Sequence, residues 1–103
     1  MINAAQANRA THDAKAKAMV SAWEWVETQL PKIEKAIKKA IDFGQFNTTC
    51  SWGEETFYDL DFSQHEAAEA MTKLTYDFGY RIYAIPYSSH TKELIVHIDW
   101  KEA

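Results

Sequence analysis

Apolar residues recur at Met19, Trp23, Val26, Leu30, Ile33, Ile37 and Ile41, in steps of three and four. That spacing marks a helix that buries one narrow seam against another helix. The pattern predicts a single helical run from Asn3 to Phe43, because residues 3 to 22 are alanine-rich and carry no glycine or proline, and alanine is the best helix former. Such a helix spans roughly 60 Å at 1.5 Å per residue, whereas a compact chain of this length has a radius of gyration of about 13 Å. The helix is therefore too long for its own domain, and its N-terminal half is expected to seek cover from a partner. Pro31 lacks the N–H that would bond the carbonyl of Glu27, which predicts a kink or break near residues 27 to 31. The seam keeps its register across that point and favours one kinked helix, with proline at the first position of a new helix as the rival reading.

Gly44 is placed to end this helix as a C′ residue. Phe46 to Trp52 then alternates as a strand with Phe46, Thr48, Cys50 and Trp52 on one face, and Gly53 closes it. Glu54 to Asp61 reads as a short strand or an ordered loop. Ser63 followed by Glu66 is a capping box that opens a second helix, with Ala67, Ala70 or Met71, Leu74 and Phe78 facing inward and Gly79 as the stop. Tyr80 to Tyr87 and Glu93 to Trp100 read as two strands joined by a polar turn from Ser88 to Lys92, with Pro86 at a strand end or edge.

The order helix, strand, helix, strand, strand defines an α+β chain: residues 1–103 form one domain, in which 3–43 is the long helix and 45–103 a small α/β unit. A crossover helix between two strands predicts that they pair in parallel, and the closing hairpin adds an antiparallel strand, so a three-stranded mixed sheet is expected. Leu94, Val96, Ile98 and Trp100 with Tyr80, Ile82 and Ala84 should face the helices. Arg81, Tyr83, Ile85 and Tyr87 beside Ile95, His97 and Asp99 should form the opposite face.

Chemistry is sparse on this frame. Arg81, Tyr83, His97 and Asp99 share the open sheet face and could bind a phosphate or nucleotide, since arginine forks onto phosphate oxygens and tyrosine stacks on a base; alternation alone also puts polar residues there. His97 and Asp99 are two apart and form a possible dyad, but no serine or cysteine nucleophile is placed beside them, so enzymatic activity is not expected. His12, His65 and His90 show no metal spacing, and neither metal nor cofactor is expected. Cys50 reads as a buried, inert thiol.

Four Trp, five Tyr and five Phe exceed what one small core needs, and aromatic residues are preferred interface anchors. Trp23 and Trp25 point about 200° apart on a helix. Trp23 lies on the seam, while Trp25 joins Ala18, Ala22 and Gln29 on a second stripe, so Met19, Trp23, Trp25 and Val26 are the expected oligomer interface. The segment holding Trp52, Glu54, Glu55, Phe57, Tyr58 and Asp59 presents aromatic anchors amid acids to a basic protein surface, unless Phe57, Leu60 and Phe62 instead fill the core. The net charge of −4 argues against nucleic acid, and the lysines at 32, 35, 38 and 39 are interrupted by Glu34. No apolar stretch is long enough to span a bilayer. The single cysteine and the lack of a leader point to the cytoplasm.

Asn3, Ala4 and Ala7 at the start, the long lysine-rich helix, the short strand, a second helix ending in Gly79 and Tyr80, and a last strand ending in Trp100 together resemble the small accessory proteins of tailed bacteriophages. The resemblance implies action in the host cytoplasm against bacterial defence, by binding a defence protein or by sequestering a cyclic nucleotide inside an oligomer. No functional residue carries over from it. The sequence therefore predicts a homo-oligomeric, non-enzymatic phage-type protein that binds a host protein, with a sponge for a signalling nucleotide and a small hydrolase as the alternatives.

Overall fold

In the computed structural model, which describes residues 1–85 and 92–102, two helices cover one face of a three-stranded sheet. The first helix, α1 (Ala4–Asp42), is continuous through Pro31. Pro31 and Glu27 both lie on the exposed side, where water can satisfy the freed carbonyl, so the missing bond does not end the helix. Asn3 caps the N-terminus, accepting from the Gln6 N–H while the Gln6 side chain accepts from the Asn3 N–H. The second helix, α2 (Gln64–Asp77), carries the expected Ser63 and Glu66 box. There the Ser63 hydroxyl, bonded to the Glu66 carboxylate, holds that carboxyl below its ordinary pKa. Both helices end in the same way. Gly44 and Gly79 adopt φ of 71° and 86°, and the N–H groups of Gln45 and Tyr80 reach back to the carbonyls of Ala40 and Thr75. This left-handed turn suits glycine and satisfies the orphan carbonyls of the last turn.

The strands are β1 (Asn47–Gly53), β2 (Arg81–Ile85) and β3 (Glu93–Asp99), in the spatial order β1, β3, β2. β3 pairs antiparallel with both neighbours, which corrects the mixed sheet expected from the crossover. β1 and β2 run in the same direction but never touch, because β3 inserts between them. The physical reason lies in β3 itself. Leu94, Val96 and Ile98 are all fully buried, and the central position is where a strand with so apolar a face is best covered. Glu54 to Asp61 is not a strand; a 3-10 turn at Glu54–Phe57 leads into the loop before α2. The expected placements of Pro86, Tyr87 and His90, and of the hairpin turn up to residue 91, fall outside the described residues.

The core runs through Val26, Ile33 and Ile37 of α1, Ala67, Ala70 and Met71 of α2, and the inner face of the sheet, where Cys50 and Trp52 join Leu94, Val96 and Ile98. Two expected core residues stand outside it: Ile41, the last residue of the seam, is 55% exposed, and Phe78 is 69% exposed. Each lies in or just past the final turn of its helix, where the chain turns away from the sheet. At the other end, residues 1 to 17 are exposed apart from a half-buried Ala7, so α1 leaves the domain as a free arm. The molecule accordingly measures 60 × 29 × 21 Å, with a radius of gyration of 16.0 Å, well above the value of about 13 Å for a compact chain of this size.

Two substitutions on the apolar pattern separate its inner and outer parts. Ile98→Ala should cost about 2–5 kcal/mol in chemical denaturation, whereas Ile41→Ala should stay within about 0.5 kcal/mol of the parent. A comparable loss at both positions would mean that the end of α1 is held in the core.

Candidate functional site

Sheet register builds the open face in three rows. Asn47, Asp99 and Arg81 form the first, Thr49, His97 and Tyr83 the second, and Ser51, Ile95 and Ile85 the third. The four residues expected to share this face therefore do share it. In the middle row the Thr49 hydroxyl lies 3.1 Å from His97 Nδ1, and the Tyr83 ring stacks on the imidazole with centroids 6.4 Å apart and planes 24° from parallel.

The first row is turned to structural work. Arg81 pairs with Glu102 at 3.3 Å, and Asp99 Oδ1 accepts the backbone N–H of Lys101 at 2.8 Å. Neither group is directed at His97, so the dyad of His97 and Asp99 allowed by the sequence is not formed. A hydroxyl beside an imidazole is the geometry of an activated nucleophile, but Thr49 and His97 lie exposed on a flat sheet. Among the described residues, no carboxylate contacts His97 to orient it.

The residues expected at an oligomer interface pack against their own domain. Val26 is fully buried within its own domain, and Met19 and Trp23 are half-buried against the same core. Trp25 lies 5.4 to 6.1 Å from the rings of Phe57, Phe62 and Trp52. Both stripes of α1 are thus used within one copy: a helix facing a domain buries an apolar band at least 100° wide, and Trp25 forms the second edge of that band.

The acidic segment divides similarly. Trp52 and Phe57 are 5% and 7% exposed and belong to the core with Phe62, so they are not partner anchors. Tyr58 is 69% exposed and donates to Glu54 at 3.1 Å, and Glu55 and Asp59 are also exposed. What this segment offers a partner is negative charge around one tyrosine.

No sequence signal points to a cleft of about 610 Å³ at one end of the sheet, where the last turn of α2 meets the start of β2 and the end of β3. Tyr76, Asp77, Tyr80, Trp100 and Glu102 join Arg81 and Asp99 there. These residues come from three elements and a terminal turn whose closeness is set only by the fold. Among the described residues no group of three or more His, Cys, Asp or Glu could hold a metal ion, and no helix is long and apolar enough to cross a membrane.

Cys50 lies on the inner face of β1, and burial pushes its thiol up against the opposing pull of Lys32. A thiol held protonated and covered reacts slowly. Native protein at pH 8 should label with a disulfide reagent at least about a hundredfold more slowly than protein unfolded in guanidinium, and equal rates would place Cys50 outside the core. No family model matches this chain, and comparison with curated proteins and with solved structures finds no match.

Proposed function

We propose that the protein is a non-catalytic binding protein that assembles with copies of itself through the free arm of α1 and presents the rest of its surface to a protein partner. The observation that carries this reading is the arm. A capped helix that continues for more than three turns past its last core contact has nothing of its own domain to cover. Isolated helices of that length are marginal in water even when alanine-rich. Ala4, Ala7, Thr11, Ala14 and Ala18 lie three and four apart along it, a stripe of small side chains that admits the backbone of a second helix closely. The interface so assigned lies N-terminal to the residues the apolar seam pointed to, because Trp25 and Val26 are occupied at home.

The partner reading follows from charge. Glu55, Asp59 and Asp61 form no ion pair among the described residues, and they surround the exposed Tyr58, which suits a basic protein surface. The resemblance to phage accessory proteins supports a host defence protein as that partner. A nucleotide sponge is less well supported. Arg81, the cation on the open face, is already taken by Glu102, and Lys32 donates to the Ser51 carbonyl at 2.7 Å and lies over the Trp52 ring.

Light scattering on the full chain at about 100 µM should give a mass of at least twice 11.9 kDa, and Ala7→Glu with Ala14→Glu should return it to the monomer while the Tm of the domain changes little. A monomer whose arm is helical by circular dichroism would refute the assembly. Cyclic nucleotides should leave the Tm unchanged; a rise of several degrees would favour the sponge instead.

A further inference from the structure

The cleft at the end of the sheet has a volume within the range of small-molecule sites, and its walls are aromatic. Tyr80 and Trp100 meet edge to face, with centroids 6.1 Å apart and planes at 86°, so two ring faces stand at right angles around a corner. Tyr76, 75% exposed, stands at the rim.

The charges around that corner are unbalanced. Three carboxylates, from Asp77, Asp99 and Glu102, face two cations, Arg81 and Lys101. Glu102 and Arg81 neutralise each other, and Asp99 holds a backbone N–H, which leaves Asp77 with no ion pair among the described residues.

Asp77 also stands where helix electrostatics disfavour it. It is the last residue of α2, and that last turn holds no basic residue. The negative end of the helix dipole therefore meets a negative side chain with no cation in that turn to offset either, and Lys73, one turn earlier, is paired with Glu69. A positive group in the cleft would relieve both at once. An anion would meet the same dipole end and three carboxylates, with Arg81 already paired and Lys101 left as the one lining cation outside an ion pair among the described residues.

We propose that this cleft binds an organic cation, a guanidinium or alkylammonium group, lodged against the faces of Tyr76, Tyr80 and Trp100 with its charge toward Asp77 and Asp99. The rings supply cation–π attraction, which is strongest over tryptophan, and the carboxylates set the sign of the ligand. The site is independent of the arm and does not require assembly. Its ligand is either a free amine or an arginine or lysine side chain of a protein, and the two share the same headgroup chemistry.

The test is a titration of the full-length, nitrogen-labelled protein followed through the Gly79 amide and the Trp100 indole signals, using agmatine, acetyl-arginine-amide and inorganic phosphate at matched ionic strength. Both cations should give saturable shifts and phosphate none. Tyr76→Ala should weaken binding by about two- to fivefold. Asp77→Asn should weaken it by at least about twofold, yet raise the Tm by about 1 to 6 °C, because it removes a charge the helix end disfavours. That opposition between affinity and stability is not expected of a merely structural residue. Acetyl-arginine-amide binding at least about tenfold tighter than agmatine would assign the headgroup to a protein side chain, and comparable affinities would assign it to a free amine. The absence of saturable shifts with either cation, shifts at these signals with phosphate, or unchanged affinity in Asp77→Asn would each overturn the proposal.

Discussion

The packing of Trp25 against Trp52, Phe57 and Phe62 decides where α1 stops belonging to its domain. Each aromatic pair of this kind contributes about 0.5–1.5 kcal/mol beyond the area it buries, and Trp25 makes three of them. The contact is reinforced from both sides. Trp52 donates its indole N–H to Gln29 at 2.9 Å, one turn beyond Trp25, and Lys32 lies 4.3 Å from the Trp52 ring centre. Trp52 is thus pinned to α1 at three successive turns. C-terminal to the pin, Ile33 and Ile37 pack into the core, and everything before Ala18 is left outside apart from a half-buried Ala7.

The same clamp explains why the sheet has one bare face. With α1 fastened along β1 and α2 packed on β2, both helices lie over Leu94, Val96 and Ile98, and among the described residues no element is left to cover the side that carries Tyr83 and His97. A face left open has to be tolerable in water. Its residues meet that condition by pairing among themselves across the strands, as Thr49 does with His97 and Tyr83 does by stacking. Such cross-strand pairs stabilise a sheet whether or not a ligand ever meets it, which is why the open face is weaker ground for a site than the cleft at its edge.

How much of this was legible in the sequence depended on how local the determinants were. The Ser63 capping box, the two glycine stops and the alternation of β2 and β3 are set by residues within a few positions of one another, and with the apolar seam of α1 they placed both helices and both faces of the sheet correctly. The sheet order was not legible, because the crossover rule describes two strands and is silent about a third that can enter between them. Trp25 was misjudged for a related reason. A helical wheel shows that it leaves the main seam but not that the loop carrying Phe57 and Phe62 folds back to meet it. The alternative in which Phe57, Leu60 and Phe62 fill the core contained that information, and accepting it would have moved the interface off Trp25. The cleft lay furthest out of reach, since Asp77 in a sequence is an ordinary polar helix end, and its oddity emerges only when Trp100 and Glu102 are brought beside it.

The distribution of charge follows the division imposed by the clamp. From Ala18 onward the chain carries fourteen acids against eight cations, and three of its lysines are engaged, Lys32 by Ser51 and Trp52, Lys38 by Glu34 and Lys73 by Glu69. The acids around Tyr58 and at the end of α2 have no such partners among the described residues, so the body presents uncompensated negative charge. The arm is the reverse, with Arg9, Lys15 and Lys17 against Asp13 alone. Two arms lying side by side in the same direction would bring these cations together, whereas an antiparallel pair centred on Thr11 sets Arg9 against the Asp13 of the other copy and keeps Lys15 and Lys17 of the two copies apart. The electrostatics of the chain therefore favour an antiparallel pairing, which would leave the two acidic bodies at opposite ends of the assembly, each free to meet its own partner.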